Sequence, residues 1–406
     1  MEKIVITSAA RTPVGAFLGD LKTVPVQELA SIAIKEAVKR SNLKPTDVDD
    51  VVLGHVISSA DTGNLARHAA LLAGLDLNTP AFCVNRICGS GIQAVATAAQ
   101  ELMCNSDMDV AIAGGAESLS RVPYYLPLSV RYDSFKNMNK GLLCSNEEYA
   151  KNSQPQSLYS DIDSMGITAE NIIEKYNISR EDCDQFSYES QMKAKKAIES
   201  GRMAEEIIPV EVAHRKETVI VSQDGHPRPQ TTMEALEKLR PAFKKDGIVT
   251  AGSSSGLNDA AAALVLMTEK KCKELGLKPM AYVEHVGIDA LDPRIMGMGP
   301  VGAINKVLKK AELKLEDIGL LEINEAFAGQ VLGCLKELGN YIGTPLYKNL
   351  NVNGGAVALG HPLGMSGARL VGTICHEFKY SDAKYGIASA CIGGGQGIAL
   401  LLRRPE

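Results

Sequence analysis

The chain of 406 residues has no apolar run approaching about 18 residues, so no membrane-spanning helix is expected. It opens Met1-Glu2-Lys3-Ile4-Val5-Ile6, a strand-like run that leaves no room for a signal or transit peptide. Its last residues, Leu402-Arg403-Arg404-Pro405-Glu406, carry no receptor-read address. A cytoplasmic protein is therefore expected. No C-x-x-C pair occurs among the nine cysteines, at positions 83, 88, 104, 144, 183, 272, 334, 375 and 391. That argues against bound metal and against a disulfide framework, and for free thiols in a reducing compartment. Most should be small core residues. Nor does one sign of charge dominate: 43 Lys and Arg face 48 Asp and Glu, a net charge of -5. This balance gives no general reason to expect nucleic-acid or membrane partners.

What is present is ordinary globular composition, 45% hydrophobic and 22% charged, enough for a large core and two domains or halves. A faint internal repeat supports two halves. Lys39 to Leu53 echoes Lys309 to Ile323, each reading as a helix end, a short acidic connection and a strand. Val84-Asn85 precedes Ser90-Gly91 and a helix, as Val352-Asn353 precedes Ser366-Gly367 and a helix. Val110 to Gly115 parallels Gly386 to Cys391. The fold is therefore expected to be a duplicated α/β fold. Gln27 to Arg40 shows helical spacing, and the Ala-rich run Ile92 to Met103 reads as a buried helix. The short apolar strands suit sheets covered on both faces. Between the halves, Leu119 to Thr250 is more polar and rich in proline, and it reads as an inserted substrate-binding region.

Four segments carry chemistry. Cys88 precedes Gly89-Ser90-Gly91 at the start of the Ile92 helix. The positive end of the helix dipole and the free N–H groups there favour thiolate, so a pKa below about 8.5 is expected. The same N–H groups suit an oxyanion. His361 sits in Gly360-His361-Pro362-Leu363-Gly364, a sharp loop that can aim an imidazole at a ligand. Cys391 starts a run of three glycines after a strand, where backbone can approach a ligand closely. Asn324, after the strand Leu320 to Ile323, lies where α/β sheets bind ligands. Each has a bland counterpart: a buried cysteine in a turn, a structural histidine, a tightly packed strand end, a helix cap. Two thiols and one base exceed what a hydrolase needs. Gly297-Met298-Gly299-Pro300-Val301-Gly302 matches a dinucleotide fingerprint, but no strand is expected before it and Pro300 lies inside it, so no such site is expected.

Together these residues resemble the thiolase family. The likeness runs through Ala10-Arg11-Thr12-Pro13, Asn85 to Gly91, Ala113-Gly114-Gly115, Met165 to Asn171, Leu239 to Phe243, Thr250-Ala251-Gly252, Ser255 to Asp259, Asn324 to Ala328, Asn351 to Gly355, Gly360 to Gly364 and the Cys391 loop. It implies a five-layered αβαβα fold of two similar halves with an inserted loop domain. The halves would be residues 1–118 with 251–268, and 269–406; the loop domain, 119–250, would bind coenzyme A. It implies a reversible Claisen condensation of two acetyl-CoA to acetoacetyl-CoA and coenzyme A. The alternative is a longer-chain 3-ketoacyl-CoA thiolase of fatty-acid degradation. In that resemblance Cys88 carries the acyl group, His361 activates it and Cys391 moves the α-proton. Oxyanions would be held by His361 with a water on Asn324, and by the N–H groups of Cys88 and Gly393. Ser255, Met165, Arg228, Phe243 and Ala326 match positions lining the coenzyme A tunnel. No tightly bound cofactor is implied, only coenzyme A thioesters as substrates, and a homotetramer built from dimers. Related condensing synthases lack the second catalytic cysteine, and Cys391 is present. Ser164 stands where short-chain members commonly have His, and Leu119 to Asp163 matches poorly, which leaves the acyl chain length undecided.

Overall fold

A computed structural model describes residues 2–126, 142–213 and 217–406. The first half contributes β1 (Ile4–Arg11), β2 (Gly15–Ala16), β3 (Asp50–Gly54), β4 (Ala81–Val84) and β5 (Val110–Ser118). The middle region adds two small hairpin sheets, β6 (Tyr124–Tyr125) with β7 (Leu143–Cys144), and β8 (Val210–Ala213) with β9 (Thr218–Val221). Then come β10 (Asn258–Thr268), β11 (Ala281–Ala290), β12 (Ile318–Ile323), β13 (Tyr385–Ile392) and β14 (Gln396–Arg403). The large sheet runs β12-β13-β14-β11-β1-β10-β5-β3-β4, with β2 beside β10.

This order contains the same pattern twice. In the first half β3 lies parallel to β4 and β5, β5 is antiparallel to β10, and β10 to β1. In the second, β12 lies parallel to Leu350 and to β13, β13 is antiparallel to β14, and β14 to β11. The halves join where Ile4 to Ile6 pair antiparallel with Ala281 to Val283. Even the turns before β3 and β12 share one device. The Lys44 N–H donates to Asp47 Oδ2 at 2.7 Å, and the Lys314 N–H to Asp317 Oδ2 at 2.8 Å.

Period-two alternation sorts the strand residues into layers. Ile4, Ile6, Val52, Ala111 and Ala113 face the same core as Ala388, Ala390, Leu400 and Leu402. Two buried helices, Ser90–Cys104 and Leu363–Glu377, fill that core. On the opposite face, Val5, Val51, Leu53 and Ile112 pack on helix Val26–Arg40. Ile387, Cys391, Ala399 and Leu401 pack outward on helices Gly299–Ala311 and Ala328–Glu337. Helix, sheet, helix, sheet and helix are the five layers.

The two central helices meet backbone to backbone. A Cβ at Gly91 would collide with the Ala368 nitrogen, and one at Gly367 with the Ile92 nitrogen. Glycine at both positions therefore permits a crossing that side chains would prop apart. It brings the two helix N-termini, and the Cys88 and His361 loops before them, to one place.

The middle region is fused to both halves. Ile172, Ile173 and Phe186 of its helices Met165–Tyr176 and Arg180–Glu199 join the second half's outer core. Arg11 of β1 reaches back to Glu206 at 3.0 Å and Asp224 at 2.7 Å in buried ion pairs. Part of the poorly matching stretch Leu119 to Asp163, residues 127–141, lies outside the described residues. A helical turn, Pro293–Met298, and not a strand leads into Gly297 to Gly302; the nearest strand before it, β11, ends at Ala290. These glycines serve packing. A Cβ at Gly299 would strike the Gln396 carbonyl, and one at Gly302 the Asp289 side chain. Among the described residues no helix is long and apolar enough to cross a membrane.

Candidate active site

Cys88 lies on a tight turn that its neighbours force into shape. Ile87 has φ 45°, a conformation a β-branched residue adopts at a cost of about 1–3 kcal/mol. Three bonds hold it there. Its N–H donates to Asn85 Oδ1 at 2.9 Å, its carbonyl accepts from Ser90 Oγ at 2.7 Å, and Ser90 Oγ accepts from the Arg86 N–H at 2.8 Å. Helix Ser90–Cys104 then begins.

The Cys88 thiol departs from expectation. Burial pushes it up to about 11, and this outweighs the N–H groups of Gly393 and of Cys88 itself, which pull it down. Desolvation of a thiolate costs more here than the helix end returns. The N–H pair is nonetheless aimed at this sulfur.

His361 is held from three sides. Gly360 takes φ 95° directly against the Asn258 side chain, and the His361 N–H donates to Asn258 Oδ1 at 2.9 Å. The ring Nδ1 lies 2.6 Å from Ser366 Oγ, which itself donates to the Pro362 carbonyl at 2.9 Å. One hydroxyl proton cannot serve both, so both bonds form only when Nδ1 carries the ring proton. Nε2 then keeps its lone pair, 3.4 Å from Asn324 Nδ2. Burial, with Arg369 second, lowers His361 to about 4, so the imidazole is neutral at neutral pH.

Asn324 is fully buried beyond the end of β12, its N–H bonded to the Ser389 carbonyl at 2.9 Å. Its Oδ1 has no partner among the described residues. Cys391, 1% exposed, is the penultimate residue of β13, and Gly394 and Gly395 then turn the chain at φ 79° and 81°. Burial raises its thiol well above the ordinary value, and the nearby Cys88 raises it further.

Cys88, His361, Cys391 and Gly393 all line one cavity of about 440 Å³. Asn324 stands behind His361. Of the residues matched to the coenzyme tunnel, Ser255, Met165, Phe243 and Ala326 form walls. Phe243 is braced edge-on against Phe327 at 5.8 Å. Arg228 is not among the wall residues; it is exposed, on the loop of His226, with its backbone N–H on Gln191 Oε1 at 2.8 Å. Asn146, Glu147, Tyr149 and Ser153, from the poorly matching stretch, supply a polar wall. Sequence reasoning assigned no role to Ser366 or Asn258. The likeness of Ser366-Gly367 to Ser90-Gly91 was the available signal, since both serines bond a carbonyl just upstream. Among the described residues no cluster of His, Cys, Asp or Glu is arranged to hold a metal.

Family models described as thiolase N-terminal domain and thiolase C-terminal domain match residues 4–270 and 277–404. A Pseudomonas aeruginosa protein named acetyl-CoA acetyltransferase is 44% identical over the whole of both chains. The solved Bacillus anthracis acetyl-CoA acetyltransferase is 43% identical with a TM-score of 0.93, covering 100% of this chain and 99% of that one. Human mitochondrial 3-ketoacyl-CoA thiolase, solved in complex with CoA, is 40% identical with a TM-score of 0.91, covering 100% and 98%.

Proposed function

Since the chain belongs to the thiolase family, we propose that it is an acetyl-CoA C-acetyltransferase, joining two acetyl-CoA into acetoacetyl-CoA and coenzyme A reversibly. One observation carries the reading: two thiols, a neutral imidazole and a glycine N–H face a single cavity.

In the first half-reaction Cys88 attacks the thioester carbonyl while its proton passes to His361 Nε2. Coenzyme A leaves as the thiol, taking the proton of Cys391, which becomes a thiolate, and the acetyl group stays on Cys88 as a thioester while His361 keeps the Cys88 proton. In the second, the Cys391 thiolate takes the α-proton of another acetyl-CoA, and the carbanion attacks the acetyl carbonyl. The Cys88–acyl bond breaks, acetoacetyl-CoA forms, and the Cys88 sulfur recovers its proton from His361. Both thiols are protonated at rest, so charge appears only as bonds change. The N–H groups of Cys88 and Gly393 then act where the negative charge develops. A buried amide oxygen with no partner among the described residues, as at Asn324, suits a water held for the other oxyanion. Ser255, Met165, Phe243 and Ala326 would flank the pantetheine arm, residues 119–250 forming most of that side. Arg228 would meet the coenzyme only at its outer, charged end.

The likeness to the human 3-ketoacyl-CoA thiolase supports a longer-chain reading. The polar side chains of Asn146, Glu147, Tyr149 and Ser153 in the wall favour the short one, because an alkyl tail gains little beside polar groups. Comparing kcat/KM for acetoacetyl-CoA and 3-ketohexadecanoyl-CoA decides between them; a higher value for the long substrate overturns the short-chain reading. Cys88→Ser abolishes thiolysis, and wild-type rates in that variant would sink the scheme. A cytoplasmic homotetramer is the matching biological form, to be checked by fractionation and by light scattering.

A further inference from the structure

Glu117 is 1% exposed and plays no part in the chemistry above. It lies one residue from the end of β5, beneath the site, and receives three main-chain donors with the His55 ring beside them. Oε2 accepts from the backbone N–H groups of Val56 at 3.1 Å and Gly364 at 3.0 Å. Oε1 accepts from the Ile57 N–H at 3.2 Å and faces His55 Nδ1 at 3.3 Å. That same His55 nitrogen lies 3.1 Å from the Ala116 carbonyl. Both its neighbours are acceptors, so Nδ1 carries a proton. Three main-chain N–H groups therefore converge on the Glu117 side chain, and the His55 Nδ1 proton is shared between it and the Ala116 carbonyl.

The donors come from separate segments. Val56 and Ile57 follow β3, while Gly364 closes the loop of His361. Around the carboxylate the chains touch backbone to backbone: a Cβ at Gly115 would strike the Gly364 carbonyl, and one at Gly364 the Gly54 carbonyl. Val56, Ile57 and Leu119 form a small core there with Ile87, Leu363 and Tyr149, so the residues beside Cys88 and His361 rest on the same platform. The charge of Glu117 also reaches the Cys83, Cys88 and Tyr149 groups. A buried carboxylate on three main-chain N–H groups is costly to desolvate, and its bonds are correspondingly directional.

We propose that Glu117 is a positioning residue that clamps the His361 loop to the β3 loop, with His55 as the side-chain donor completing the clamp. The inference rests on the reading of His361 as the base. A displaced loop misaims His361 Nε2, which slows chemistry; the coenzyme walls at Ser255, Met165 and Phe243 are untouched.

The test is steady-state thiolysis of acetoacetyl-CoA across pH, on variants whose fold is checked by circular dichroism. Glu117→Gln turns two acceptor sites into donors facing N–H groups. A fall in kcat of at least 20-fold is expected, with KM for coenzyme A within two-fold. A folded Glu117→Gln protein with kcat within two-fold, or with the loss in KM alone, overturns the proposal. If that variant does not fold, His55 decides. His55→Phe should lose about five-fold in kcat and His55→Gln, which restores an N–H donor, should recover most of it. Equal loss in both, or loss in neither, overturns the clamp. His361→Ala serves as control: if it keeps full activity, the reading of the base fails and not the clamp.

Discussion

Removing the Ser366 hydroxyl is the sharpest probe of how His361 works. In Ser366→Ala the imidazole loses its 2.6 Å partner at Nδ1, and the Pro362 carbonyl loses its donor. Two effects follow. The resting ring no longer favours the Nδ1–H form, because that buried N–H is now unpaired at a cost of about 1–3 kcal/mol. The ring also becomes an imidazolium as Cys88 attacks, and a hydrogen bond from a charged donor is worth about 1.5–3 kcal/mol. The second effect acts in the transition state and sets kcat. At about 1.4 kcal/mol per factor of ten, kcat should fall roughly 10- to 150-fold. KM for coenzyme A should hold, because Ser366 is not part of the cavity wall. The assay is the thiolysis rate followed by loss of acetoacetyl-CoA absorbance, with thermal unfolding alongside to separate chemistry from stability. A Ser366→Ala enzyme with wild-type kcat would refute the assignment of the Nδ1 proton, and with it the claim that Nε2 is the free base.

Two further outcomes follow from burial. His361 has a folded pKa of about 4 against an unfolded value of 6.5, so the unfolded chain binds the extra proton first. Stability should therefore be full above about pH 6.5 and fall as pH drops toward 4, by roughly 3 kcal/mol from this group. Urea midpoints of wild type and His361→Asn at neutral and acid pH check this; equal acid sensitivity in both would contradict it. At the helix crossing, Gly91→Ala or Gly367→Ala should cost about 1–3 kcal/mol or more through overpacking. The readout is the midpoint of thermal unfolding, and an unchanged midpoint in either variant would mean that the helices do not meet as described.

Much of the fold was legible because its signals are local. Period-two strands, the Ala-rich helix and the acidic Lys44 and Lys314 turns each repeat within a few residues, and the repeat therefore predicted two like halves. The turn of Cys88 was legible for the same reason: Asn85, Ser90 and the helix start lie within five residues of it. Arg228 was assigned by the resemblance alone, and it stands exposed outside the cavity wall. The fingerprint at Gly297 was set aside on its flanking residues, and its glycines serve packing. A glycine needed for close packing and one needed for phosphate contact look alike in sequence.

The sequence by itself determined the candidate groups, two thiols, an imidazole and an amide, and the duplicated scaffold that carries them. The tertiary structure decided their chemical state. Cys88 has the helix N-terminus that should lower its pKa, yet burial lifts it to about 11. His361 is ordinary in sequence and becomes a neutral base with its proton directed by Ser366. Glu117 reads as one strand residue among many until it is seen collecting donors from loops about 60 and 247 residues away in the chain. The physical reason is the same in each case. Local sequence dictates backbone geometry through steric and hydrogen-bonding preferences of neighbours. Desolvation and long-range hydrogen bonds depend on which distant segments close over a group, and only the packed fold supplies those.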